Sequence, residues 1–111
     1  MSSPRFPIPQ GTLDMLVLQM LSLGPAHGYG IAQRLQQVSR EAVQANQGSL
    51  YPALHRLEQK GLLKSEWRES ETGREAKFYS LTRAGEKQLA VEKESWNRLT
   101  TAVQLIFNEG R

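Results

Sequence analysis

The chain has 111 residues, a net charge of +3, 39% hydrophobic residues and no cysteine, which fits one domain and excludes disulfide frameworks, thiolate metal clusters and cysteine nucleophiles. The longest apolar run, Met15 to Leu18, is far short of the about 20 residues that span a bilayer, so no membrane partner is expected. The mild basic balance favours an anionic partner without naming one, and the lack of cysteine is compatible with a cytoplasmic location.

The opening residues carry Pro4, Pro7 and Pro9, which disfavour helix and leave no apolar stretch for a leader, so residues 1–11 read as an extended arm. A first helix follows, with Leu13, Leu16, Val17, Met20 and Leu21 on one stripe, Thr12 as its cap, Asp14 in its first turn and Gly24-Pro25 at its end. A second helix from about Gly28 to Ser39 places Ile31, Leu35 and Val38 on one face. A third begins between Asn46 and Ser49, keeps Pro52 near its start, buries Leu50, Leu54 and Leu57, and stops at Gly61. Leu62 to Glu69 and Ala76 to Leu81 read as strands joined by the turn residues Ser70 to Gly73. Thr82 caps a last helix running to about Asn108. The expected fold is mainly α with a small β-hairpin: a winged helix-turn-helix over 12–81 and a long C-terminal helix over 82–111.

The third helix points to function. Opposite its leucine stripe lie Ser49, Pro52, His55, Arg56 and Gln59, with Tyr51 at the boundary and Glu58 on a flank. A face that is short-chained at its N-terminus, basic at Arg56 and free of acids suits a DNA major groove. Gln47, Ser49, His55 and Arg56 can donate there to bases or phosphates. Arg68, Arg74 and Lys77 on the hairpin could reach flanking phosphates. Yet five basic against four acidic residues between Gly61 and Gly85 leave only +1.

Three segments carry a family resemblance: Gly11-Thr12-Leu13-Asp14, Leu23-Gly24-Pro25-Ala26-His27-Gly28-Tyr29-Gly30-Ile31, and Gln47-Gly48-Ser49-Leu50-Tyr51-Pro52-Ala53-Leu54-His55-Arg56-Leu57-Glu58. With Ala76 to Gly85 they resemble the PadR family of bacterial transcriptional regulators, over nearly the whole chain. The resemblance implies a dimeric winged helix that represses transcription at a palindromic operator. It further implies DNA contacts from Ser49, Tyr51 and Pro52, help from Tyr29, and dimerisation through a single C-terminal helix. The tip Ser70-Glu71-Thr72-Gly73-Arg74-Glu75 is more acidic than the family's common basic tips.

The last helix supports a homodimer independently. Leu89, Trp96 and Val103 repeat every seven residues, and Leu99 and Ile106 take the offset positions. Alone, the helix would expose Trp96, Leu99, Val103, Ile106 and Phe107, unless it folds back on the first helix, as Leu89 is expected to do. Trp96 is also the candidate residue for a small aromatic effector, because paired indoles across a two-fold can hold a flat apolar ligand. The competing role for Trp96 is to fill the interface.

An enzyme is not expected. His27 and His55 are the only histidines, no metal spacing or catalytic triad is present, and no strand is expected before Gly28-x-Gly30 that would make it a nucleotide loop. No cofactor is implied. The remaining alternative is a winged-helix protein-interaction module without DNA binding, which the acidic wing favours.

Overall fold

The computed structural model describes residues 8–109, so residues 1–7 of the expected arm lie outside the described residues. Helix α1 spans Gln10–Ser22 and starts directly after Pro9, whose fixed backbone leads into the helix without a side-chain cap. Thr12 is therefore inside the helix rather than at its cap. The expected stripe on α1 is too narrow. Leu13, Met15, Val17, Leu18, Met20 and Leu21 are all buried while Leu16 is only half-buried, because other elements enclose the helix on several sides. Its C-terminal carbonyls are closed by Arg34, whose Nη1 donates to the carbonyls of Met20 at 2.9 Å and Gly24 at 2.8 Å.

A two-residue strand, β1 (Ala26–His27), precedes α2 (Gly28–Val38), where none was expected. It aligns with the later strands to give a three-stranded antiparallel sheet of order β1-β3-β2. Such a short segment has no alternation to read, and only its partner reveals it. The glycines after it do not form a nucleotide loop, since the strand pairs antiparallel and Gly28 is buried. His27 caps α2 through Nδ1, which accepts the Gly30 N–H at 3.0 Å. Ile31 and Leu35 are buried as expected, whereas Val38 is exposed at the last turn. The chain then bends through Arg40 and Glu41, both in the left-handed region with φ of 54° and 66°.

Helix α3 (Gln47–Gln59) buries Leu50, Ala53, Leu54 and Leu57 against α1. Gly61 ends it with a φ of 76°, and the N–H groups of Gly61 and Leu62 return to the carbonyls of Glu58 and Leu57, the paired bonds of a Schellman close. Strands β2 (Leu63–Glu69) and β3 (Glu75–Leu81) pair in register from Leu63 opposite Leu81 to Glu69 opposite Glu75. Thr82 caps α4 (Arg83–Glu109) by accepting the Gly85 N–H at 3.0 Å, and its hydroxyl donates to the Gly61 carbonyl at 2.7 Å.

Only Gly85 and Leu89 of the 27 residues in α4 are buried. Leu89 folds back into the chain's own core with Leu13, Val17 and their neighbours, as expected of it, so of its two assigned places it takes the core rather than the dimer seam. Gly85 lies so close to the Leu62 carbonyl that a β-carbon would collide with backbone. Gly85→Ala should therefore destabilise the fold by about 1–3 kcal/mol despite the better helix propensity of alanine, measured by urea unfolding.

Candidate nucleic-acid interface

The first turns of α3 are open to solvent on their outer side. Asn46 accepts the Ser49 N–H at 2.8 Å, which fixes the helix start, and helix geometry leaves the N–H groups of Gln47 and Gly48 without intrahelical acceptors. Gln47, Gly48, Ser49, Tyr51, Pro52 and His55 are all exposed there. Pro52 is the sixth residue of the helix, deeper than its chemistry favours. The bond it deletes would end on the Gly48 carbonyl, on the exposed first turn where water replaces it. This arrangement presents donors, an aromatic ring and a positive helix end to one side, with no acid among them.

Tyr51 leans back over the start of α2. A β-carbon on Gly28 would stand 2.7 Å from its ring, so a larger residue there would push the exposed Tyr51 ring outward. Tyr29 is 57% exposed beside it and accepts a bond from the Gln33 side chain at 3.2 Å. Between these rings and the hairpin lies a depression of about 670 Å³, lined among others by Tyr29, Tyr51, Trp67, Arg74, Lys77 and Tyr79. Tyr79 forms its buried floor, and burial pushes its phenol pKa up.

The cations are distributed differently from the sequence expectation. Arg56 turns toward α1, where its Nη2 donates to Asp14 Oδ1 at 2.8 Å and its side chain is 30% exposed. A helical wheel gives the direction of the Cβ, but a guanidinium several bonds further out can fold over a flank to reach a half-buried acid. Asp14 thus meets an arginine instead of serving its own helix end. Lys77 is not at the wing tip: it pairs opposite Trp67, three positions in, and its Nζ lies 3.3 Å from Glu58 Oε1. Glu58 also accepts the Ser65 hydroxyl. That bond, followed by Lys77, holds its carboxyl below the usual carboxylate range. Arg68 lies over the Phe78 ring at 4.1 Å, on the opposite face of the sheet. Arg74 stays exposed at the tip with Glu71 and Glu75. The geometry therefore brings together Tyr29, Gln47, Ser49, Tyr51, Pro52 and His55, and it commits Arg56 and Lys77 to contacts within the chain.

Trp67 is the functional candidate that sequence reasoning missed. Alternation along β2 puts it on the face of Leu63 and Ser65, and its distance from the core is what the alternation could not give. Elsewhere, Trp96, Leu99, Ile106 and Phe107 stand exposed on α4 with Val103 half-covered. Trp96 and Leu99 border a shallow depression with Pro9, Thr12 and Met15 of the α1 end. Among the described residues no group of three potential metal ligands occurs, and no helix is long and apolar enough to cross a membrane.

The Arg56–Asp14 pair is partly buried, so the two side chains should be energetically coupled. A double-mutant cycle with Arg56→Met and Asp14→Asn should give an interaction of about 0.5–3 kcal/mol in chemical unfolding, and additive effects would show the pair to be idle.

Comparison with known proteins agrees with this architecture. Residues 17–91 match the model of the transcriptional regulator PadR-like family. The chain is 40% identical over 68 residues to the transcriptional regulator Rv3488 of Mycobacterium tuberculosis, covering 61% of this chain and 63% of the relative. A PadR family transcription regulator from Clostridium difficile superposes with a TM-score of 0.74 at 30% identity, over 86% of this chain and 97% of that one. A protein of Streptococcus mutans superposes with a TM-score of 0.80 at 28% identity, over 93% and 92%. With the winged helix in place and the family model spanning most of its length, the chain belongs to the PadR-like family of transcriptional regulators rather than to any enzyme class.

Proposed function

We propose that the protein is a homodimeric, sequence-specific DNA-binding regulator that represses transcription from a palindromic operator. The observation that carries the DNA contact is the acid-free, exposed first half of α3, with Gln47, Ser49, Tyr51, Pro52 and His55 on its outer side and Tyr29 beside them. Small residues at the helix start let its backbone approach a groove, and its positive end favours phosphate. Exposed Arg74 is the remaining cation at the wing tip, and Arg56 acts in this reading through α1 rather than on DNA.

The apolar stripe of α4 supports the dimer. Trp96, Leu99, Ile106 and Phe107 are 43–69% exposed in the single chain, and a second α4 is the surface whose repeat matches theirs. Two recognition helices related by a two-fold would then meet half-sites about 34–36 Å apart or a multiple of that. A flat aromatic effector between the paired Trp96 indoles would release the operator by changing that spacing. The family resemblance supports repression, and the lack of cysteine is compatible with a cytoplasmic setting.

Ser49→Glu separates binding from folding, because an acid in the first turn of a helix is stabilising while it repels phosphate. Fluorescence anisotropy with a duplex from the protein's own upstream DNA should show affinity reduced by about tenfold or more, with the thermal midpoint maintained. Unchanged affinity would remove α3 from the interface. Trp96→Ala should weaken self-association by about 2 kcal/mol in sedimentation equilibrium, and a monomeric wild type at micromolar concentration would refute the dimer.

A further inference from the structure

Trp67 stands on the α3 side of β2, opposite Lys77 and on the same face as Leu63 and Ser65. Leu63 is buried and Ser65 is bonded to Glu58, but Trp67 projects past the last core side chain and is 66% exposed. An indole is among the strongest anchors in macromolecular interfaces, and in water its apolar surface gains nothing.

Its surroundings restrict what it meets. Trp67 lines the same depression as Tyr29 and Tyr51, so its surface is continuous with the outer side of α3. Two of the nearby cations are engaged, Lys77 with Glu58 and Arg68 with Phe78 on the far face, which leaves Arg74. At the tip, Glu71 and Glu75 stand beside Arg74. A strand of DNA entering this depression meets a wing with little net charge to offer its phosphates. What the wing does offer is a broad, exposed apolar ring.

We infer that Trp67 is a DNA-contacting residue whose indole packs against the deoxyribose edge of the strand held between α3 and the wing. The inference rests on the DNA reading above and supplies the wing contact that the ion pairs do not. The contact is independent of base sequence and displaces no counterion. It therefore adds affinity without adding to the salt dependence.

Because the contact is sequence-independent, a labelled random duplex is a sufficient probe. Anisotropy titrations between about 50 and 200 mM salt compare the wild type with Trp67→Ala and Trp67→Phe. Trp67→Ala should bind about tenfold more weakly at every salt concentration, with an unaltered slope of log affinity against log salt, and Trp67→Phe should recover most of the loss. The chain holds two tryptophans, so the difference between wild-type and Trp67→Phe spectra reads the emission of Trp67 alone. It should become shielded from a soluble quencher when duplex is added. Equal affinities of wild type and Trp67→Ala, a slope smaller by about one, or unshielded emission at saturating duplex would each overturn the contact while leaving the DNA reading standing. A wild type that binds no duplex even at low salt would overturn both.

Discussion

Helix α1 is enclosed by α2, α3, α4 and β3, and the placement of every outward-facing group depends on that enclosure. A helix buried on several sides must be apolar nearly all round, and from Leu13 to Leu21 this one is, with Asp14 and Gln19 as its polar residues. The carboxylate of Asp14 is compensated by Arg56 of α3. The pair therefore orients α3 on the same helix that anchors α2 through Arg34 and α4 through Leu89. With its leucines locked inward, α3 has one side left for a partner.

The wing is tied to α3 by polar contacts where α3 is tied to the core by buried leucines. Glu58 accepts from Ser65 on β2 and pairs with Lys77 on β3, so one carboxylate holds both strands against the helix. Charges that a sequence count assigns to a ligand are in this way consumed by the fold. The formal +1 from Gly61 to Gly85 overstates what the wing can offer, since Arg83 belongs to α4 and Lys77 is already paired with Glu58. Affinity for a polyanion then comes from helix ends, hydroxyls and rings more than from ion pairs.

The order of elements was legible because its signals are local. The leucine periodicity of α3, the glycine after it, and the Thr82 cap each act within a turn of where they stand. What escaped was non-local. The strand at Ala26 exists because Tyr79 and Phe78 lie beside it, and the broad burial of α1 exists because four elements surround it. At the candidate site, the exposure of Ser49 and Pro52 was readable from angle alone, as a short side chain ends near where its Cβ points. Long ones do not: Arg56 and Lys77 were misplaced because a flexible chain goes to the nearest opposite charge, which no wheel or strand alternation contains. Trp67 was overlooked for the converse reason, since its face was readable but the edge of the core was not.

Gly85 and Leu89 are buried in the first two turns of α4, the turns to Leu99 pass the α1 end with a shallow depression between, and the rest extends like a beam fixed at one end. The helix is about 40 Å long, so a tilt of about five degrees at its root carries its tip roughly 3 Å. The Leu62 carbonyl against Gly85 leaves no slack at that root. A residue of no side chain, remote from any partner, thereby sets the aim of the whole lever.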